Sequence, residues 1–540
     1  MKKWGPLAIL ASAQFVMVLD SSVMNVSISQ IVEDLHTTVQ GVQTAITMYT
    51  LVMAAFMLFG AKLGDIWGRN RAFAIGLAVY GTGSLITAFS QNLTMLLFGW
   101  SLVEGLGAVL VVPAIAALIA ANYGGRERAL AFSIIGAAAV FAIALGPLIG
   151  GWVTTNYTWR YVFIGEVVVV IVILLLRKAI ALAPRAERVP HLDGVGVTLS
   201  ALGLGMVVFG ILMTSSWGLV KPTGAMTING TEITPLGVSM CFWLILGGIA
   251  VIAVFGWWER RRLRHGLDQL LDVAMLRIDR LRAGLTTLMG QQLVIMGTFF
   301  VIPVYLQIVL GYDAFETGKK LMPLSIAMLI AAVLGPKAAA RRSPKAVAQV
   351  GLVAISIGAI MMSATVDFEL NEPAFRLALI LVGAGAGLLA SQLGNVIMSS
   401  VEPAKTSEAG GLQGTFQNLG ASLGTALIGA ILLSALTAGF NENVSQDPNL
   451  SDSTKQQVAA VTAEGVDIAT VDQVEQAAID SGVSSEEAAA VAAHYGDAEV
   501  QALRLALIAV AIAAIGSLWF TRKLPRHTDA PPELSTVDGP

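Results

Sequence analysis

A single cysteine, Cys241, stands in 540 residues, so the chain has no intramolecular disulfide and no cluster of cysteine metal ligands. Its five histidines are scattered without ligand spacing, no His-Glu-x-x-His pair occurs, and neither a metal nor a cofactor is expected. Charge is equally scarce. Asp, Glu, Lys and Arg make up 13% of the residues, where a soluble domain carries about 25%. A formal net charge of −3 and the want of any Lys/Arg-rich arm offer nucleic acid nothing to bind. What fills the chain is apolar: 55% of residues are hydrophobic and the mean hydropathy is +0.74. The repeating unit is an apolar run of about 20 residues, the length that crosses a bilayer core. Met1-Lys2-Lys3 ahead of such a run looks like a signal peptide, but Asp20 and the missing A-x-A site argue for an uncleaved first span.

Fourteen spans are expected, at 6–29, 43–62, 72–90, 93–120, 129–152, 160–176, 194–213, 237–257, 284–309, 320–339, 347–365, 375–399, 414–436 and 501–520. Lys and Arg concentrate in cytoplasmic loops. With the N-terminus inside, 26 of the 33 basic residues fall inside and 7 outside. Both termini are therefore placed in the cytoplasm, of a bacterial-type inner membrane. The inside loops are too short for a catalytic domain. One long loop, 439–500, falls outside and carries about twelve acidic residues and one lysine. Within it Val471–Ala493 is helix-prone, opened by Thr470 and again by Ser484 and Ser485 ahead of Glu486 and Glu487. It reads either as a solvated helical hairpin or as an acidic flap handling cations that leave a pore.

Several motifs carry chemistry. Gly60-Ala-Lys-Leu-Gly-Asp65-Ile-Trp-Gly68-Arg69-Asn-Arg71 lies in the inside loop after the second span. Its glycines let helix ends approach closely, and a carboxylate at a helix end can hold one conformation and release another. Leu19-Asp20-Ser-Ser-Val-Met-Asn25-Val sits in the first span, with Asp20 about 14 residues, or roughly 21 Å, deep. An unpaired carboxylate there costs several kcal/mol, so Asp20 bonds a neighbouring helix, binds a proton or cation, or does both. Ala142-Ile-Ala-Leu-Gly146-Pro147-Leu-Ile-Gly150-Gly151 ends the fifth span with a kink and a small-residue seam. Ser101-Leu-Val-Glu104-Gly-Leu-Gly-Ala adds an acid about 11 residues, roughly 16 Å, into the fourth. Trp159-Arg160-Tyr161 anchors the sixth at the interface, and Glu166 lies about two turns further in. If Asp20 and Glu104 share a cavity, their charges repel and one holds a proton.

These motifs resemble the major facilitator superfamily, and in particular its fourteen-helix drug:proton antiporters, over about residues 5–435 and 500–520. Gly60, Asp65, Gly68 and Arg69 match the family's G-x-x-x-D-x-x-G-R loop, with Arg71 standing in for a second basic residue. Asp20 and Asn25 match its first-helix signature, with Ser22 for Thr and no terminal Pro. Gly146, Pro147, Gly150 and Gly151 match the antiporter motif, which marks exporters in the family. Two departures are notable: Ser101 replaces the buried Arg usual in the fourth span, and Glu104 replaces Gln.

The resemblance implies an all-α membrane protein of the major facilitator fold. Two six-helix bundles, 1–185 and 266–522, would flank an inserted two-helix hairpin, 186–265, with loop 439–500 in the second bundle and a tail at 523–540. It implies proton-coupled export of hydrophobic or cationic small molecules by alternating access. Asp20, Glu104 and Glu166 are the candidate coupling or substrate acids. Asn25, Ser101, Gln307, Gln413 and Gln417 are candidate cavity polar groups, with Thr415 and Asn418 near the last two. Partners would be the small-molecule substrate, protons and membrane lipids, and the chain would act as a monomer. An exporter of a native lipid, siderophore or metabolite is the alternative, and a membrane-embedded enzyme or a non-transporting receptor is the reading of another class.

Overall fold

A computed structural model describes residues 4–181, 191–222, 226–228, 231–402, 405–462 and 466–525. Arg185, Arg188, Arg526, the boundary at 185/186 and most of the 523–540 tail lie outside the described residues. Fourteen long helices follow the expected spans. They are α1 Gly5–Val26, α2 Val39–Trp67, α3 Arg69–Ala88, α4, α5 Gly125–Asn156, α6 Arg160–Leu176 and α7 Gly194–Leu212. Then come α8 Met240–Arg264, α9 Asp279–Val304, α10 Ala314–Arg341, α11 Pro344–Ser363, α12 Glu372–Ser399, α13 Thr406–Gln446 and α14 Ser485–Ser517. Helix α4 has three parts: Leu93–Leu96, a π-helical stretch Leu97–Glu104, and Gly105–Asn122. Thirteen of the fourteen have at least 18 residues and the apolarity to cross a membrane. The remaining one, α6, has 17 residues, about 26 Å, close to the ~30 Å hydrocarbon core. Among the described residues one short ribbon, β1 Met226–Ile228 against β2 Thr231–Ile233, closes the α7–α8 turn.

The helices begin where polar caps satisfy backbone N–H groups that lipid could not. Thr38 accepts from Gly41, Asn92 from Met95, Asp193 from Gly196, Asp313 from Glu316 and Ser343 from Ala346. Large apolar side chains such as Leu175, Val333 and Ile512 point outward, while Asp20, Gln43, Glu104 and Gln291 are buried. That inverted pattern is what a lipid solvent selects.

Packing separates the helices into two groups. Helices α1–α6 contact one another chiefly through α1 with α5, α3 with α4 and α6, and α2 with α4. Helices α9–α14 do so through α12 with α10 and α11, and α13 with α9 and α14. The groups meet along two seams, α2 against α13 and α5 against α10. The α7–α8 hairpin stands beside the first seam, where Val208 and Leu212 of α7 pack with Leu51 of α2 and Ala426 of α13.

One end of the molecule carries the start of α1 and the α2–α3 turn; we call it the N-terminal face. The opposite, far face is where the groups are fastened. Gln43 Nε2 donates to Thr425 O at 2.9 Å and Ser422 Oγ to Thr47 O at 3.0 Å. Thr155 Oγ1 of α5 donates to Asp313 Oδ1 at 3.3 Å and accepts from Phe315 N at 3.0 Å. The loop 439–500 folds as expected into helical segments, with α13 extended to Gln446 and short helices Asp452–Val461 and Val471–Asp480. Thr470 opens the second with a capping box. Tyr495 of α14 staples residues 466–470 ahead of the second, donating to Asp467 O at 3.0 Å and accepting from Ala469 N at 2.9 Å.

Candidate functional site

Asp20 of α1, Glu104 of α4 and Glu166 of α6 converge inside the first helix group. One carboxylate oxygen from each lies within 4.8 Å of the other two, and all three side chains are buried. Among the described residues no Lys, Arg or His hydrogen-bonds to them. Two like charges about 5 Å apart repel by roughly 3 kcal/mol at an effective dielectric constant of about 20. Three ionised acids here would add that repulsion to the desolvation of each. The arrangement is relieved by positive charge, and a proton is the smallest carrier of it.

The three acids are bonded unequally. Trp100 Nε1 donates to Asp20 Oδ1 at 2.8 Å and to Oδ2 at 2.9 Å. Glu166 Oε2 accepts from Ser84 Oγ at 3.1 Å and from the Tyr80 hydroxyl at 3.3 Å. Among the described residues both oxygens of Glu104, and Oε1 of Glu166, have no hydrogen-bond partner. The π-helical stretch Leu97–Glu104 supplies both Trp100 and Glu104. π-turns are uncommon and recur at functional sites. Gly83 of α3 lets that stretch come close, since a Cβ there would strike the Glu104 backbone. Trp100 stacks on Tyr49 of α2, with ring centroids 4.7 Å apart and planes inclined by 5°. Sequence reasoning singled out each acid but passed over Trp100, which reads as one more apolar residue of an apolar span.

The polar candidates are placed differently. Ser101 Oγ donates to Ala45 O at 2.8 Å and ties α4 to α2. Asn25 Nδ2 donates to Ser21 O within α1, and Asn418 Nδ2 to Gly414 O within α13. Gln413 and Gln417 are half-buried on α13, and Thr415 Oγ1 and Gln413 Oε1 are buried without a partner. Gln307 sits in a second π-helical stretch, Tyr305–Val309, after α9. Its Oε1 accepts from Ser29 N at 3.1 Å and Ser29 Oγ at 2.6 Å, and its Nε2 donates to Val26 O at 2.9 Å. Those groups are freed where α1 breaks at Ser27 before the short helix Ile28–Asp34. Gln307 thus clamps a helix break across the two groups at the far face.

The remaining motifs occupy the two ends. On the N-terminal face Asp65 and Arg69 form an ion pair across Gly68, whose φ of 90° suits glycine. Gly60 abuts Val109 of α4, and Arg71 is exposed. On the far half of α5, Gly146 and Gly150 pack on Ser22 and Val23 of α1. Gly151 abuts the backbone of Ala314, and the Pro147 carbonyl abuts Gly318 of α10. The motif therefore joins three helices and carries the α5–α10 seam. Gly420-Ala-Ser422-Leu-Gly424 has the spacing of a nucleophile elbow, but Ser422 lies within helix α13 and donates to the Thr47 carbonyl.

Known proteins agree with this fold. The family model described as Major Facilitator Superfamily matches residues 10–425. The probable actinorhodin transporter of Streptomyces coelicolor is 27% identical over 461 residues, 82% of this chain and 76% of that one. The multidrug efflux pump LfrA of Mycolicibacterium smegmatis is 24% identical over 89% of this chain and 92% of its own. The multidrug resistance protein Stp of Mycobacterium tuberculosis is 25% identical over 78% of this chain and 75% of its own. Among solved structures, a bacterial homolog of the human lysosomal transporter Spinster, inward-facing and unoccupied, superposes with a TM-score of 0.61. It is 13% identical, over 97% of this chain and 98% of that one. Twelve apolar helices in two packed groups with a two-helix hairpin beside them, and a match over most of the length, leave one assignment: the chain belongs to the major facilitator superfamily.

Proposed function

We propose that this protein is a proton-coupled exporter of hydrophobic or cationic small molecules, and that the carboxyl cluster Asp20, Glu104 and Glu166 is where the proton couples. The observation that carries the reading is a buried trio of acids with no basic partner among the described residues. Such a site changes its charge by one when a proton leaves, and the membrane interior magnifies the effect on a nearby cation. Acids without a buried base favour cationic or neutral substrates over anions. Relatives named as a multidrug efflux pump, a multidrug resistance protein and a probable actinorhodin transporter support the export direction, as does the Gly146–Gly151 motif. The N-terminal face, richer in Lys and Arg, is the cytoplasmic one, in the inner membrane of a bacterial-type cell.

In this reading residues 1–185 and 266–522 rock about the α2–α13 and α5–α10 seams. The hydrogen bonds at Gln307, Thr155 and Gln43 belong to a state closed toward the outside, with the Asp65–Arg69 loop gating the other side. The chain works as a monomer bathed in lipid, without catalysis. The test is ethidium uptake into inside-out vesicles under an imposed proton gradient. Wild type accumulates the dye and Glu104→Gln does not. Wild-type vesicles that move no cation under any gradient would refute the reading. The relatives named for actinorhodin and for tetracenomycin C favour a second substrate class, native metabolites, to be offered in the same vesicles.

A further inference from the structure

We propose that Trp100 divides the labour within the carboxyl cluster: it fixes Asp20 as a standing carboxylate, while the exchanged proton rides on Glu104 and Glu166. The inference rests on the coupling reading above and deepens it. An indole N–H donates and never accepts. Trp100 Nε1 reaches both oxygens of Asp20, at 2.8 Å and 2.9 Å, and a hydrogen bond of this kind is strongest to an ionised acceptor. A proton on Asp20 would forfeit part of that bond. Glu166 is held by two hydroxyls, Tyr80 and Ser84, and a hydroxyl can turn from donor to acceptor. Its partners therefore tolerate either protonation state. Among the described residues neither oxygen of Glu104 has a partner within hydrogen-bond geometry. A buried carboxylate without a single hydrogen bond is the costliest member to ionise, so Glu104 is the natural holder of the proton. Glu166 Oε1, also unpartnered, is the acceptor open to it.

The other titratable groups facing the cluster are Tyr49 of α2, whose ring stacks on Trp100, and Tyr80 of α3. Helix α5, packed on α1, presents Gly146 and Gly150 there. Among the described residues no cation from these elements hydrogen-bonds to the cluster. In the transport step the O–H bond of the Glu104–Glu166 pair breaks and the proton passes to water on the N-terminal face. The negative charge left on the pair adds to that of Asp20, and a cationic substrate answers it. Trp100 and Glu104 share one π-helical stretch, so a change in that turn moves the clamp and the carrier together. Trp100 acts through Asp20 and is a positioning residue.

The experiment compares ethidium uptake into inside-out vesicles against pH for wild type, Trp100→Phe, Asp20→Asn, Glu104→Gln and the double variant Asp20→Asn/Trp100→Phe. Glu104→Gln loses its dependence on the gradient. Asp20→Asn is slowed, yet its remaining uptake still collapses when the gradient is dissipated. Trp100→Phe moves the pH midpoint of uptake up by about one unit, a tenfold change in proton affinity. Without its donor Asp20 also takes a proton, and the cluster empties only at higher pH. The double variant keeps the midpoint of Asp20→Asn, because the clamp has nothing left to act on. A Trp100→Phe protein with the wild-type midpoint overturns the proposal. So does an Asp20→Asn protein indifferent to the gradient beside a Glu104→Gln protein that follows it. Where Trp100→Phe does not fold, that pair of variants decides alone. If both single acid variants stay fully coupled, the coupling site itself is misplaced, a failure distinct from that of the clamp.

Discussion

Gln307 illustrates how much a single residue's meaning depends on what it meets. In sequence it is a polar group inside an apolar span, which reads as cavity lining. In the structure it satisfies three backbone and side-chain groups left open by the break at Ser27. Leucine at this position would leave the Val26 carbonyl and the Ser29 hydroxyl without that partner, a loss of roughly 1–3 kcal/mol borne by the state closed at the far face. Since 1.4 kcal/mol is a factor of ten, Gln307→Leu raises the far-face-open population about tenfold. In a Ser29→Cys/Cys241→Ser background, which keeps the bonds of Gln307 to Ser29 N and Val26 O, adding Gln307→Leu should speed labelling of the thiol from the far side about tenfold; an unchanged labelling rate contradicts the clamp. Asp20, Glu104 and Glu166 were each legible as acids at membrane depth. Their meeting was not, because it depends on how α1, α4 and α6 pack. Trp100 gave no signal because an indole in an apolar run shows its donor role only when its acceptor is placed.

At the scale of elements, the spans were readable from apolar length alone, and α6 was found although it is the shortest. The π-helical stretches of α4 and after α9 were not, since the same residues propagate an α-helix equally well and tertiary contacts decide. The small-residue motif of α5 was legible as a seam; its partner α10 was not, because Gly318 has no flanking pattern to announce it. Replacing Gly151 by leucine drives a side chain into the Ala314 backbone. It should destabilise the protein by about 1–3 kcal/mol, seen as a lower melting temperature and lost transport, while Gly205→Ala in α7, where an added Cβ meets open space, leaves the melt unchanged.

The segment between α13 and α14 carries its own prediction. The His494 side chain bonded at 2.7 Å, with the Asn449 amide, holds the Asp447 carboxyl below its usual value. A depressed acid contributes stability above its unfolded value near 3.9, and that contribution disappears as pH falls through the folded value. The turn at 447–451 should therefore become open to pepsin as the pH falls below about 4, and Asp447→Asn should open it already at pH 5; equal protection in both would exclude the contact as its lock. Asp467, by contrast, is pushed up by burial with the Thr38 hydroxyl opposing, so the segment 466–470 is favoured by acid and is not expected to open with the turn.

For the whole molecule, the division into two helix groups follows from the chain's own economy of charge. Acids and amides are buried where the groups pack, and the lipid-facing surface is left apolar. In the proposed orientation the basic residues gathered on the N-terminal face lie in the cytoplasm. With the far face fastened and the carboxyl cluster enclosed in one group, the account joins a proton site to an opening and closing motion through α1, which carries Asp20 and ends at the Gln307 clamp. The most direct test of that central claim is to follow proton and ethidium fluxes together in proteoliposomes of the purified protein. The account predicts that, with the protein oriented inside-out, each inward movement of dye is accompanied by an outward movement of protons, and that Glu104→Gln abolishes the proton flux. Dye that crosses at the wild-type rate with no accompanying proton movement would contradict it.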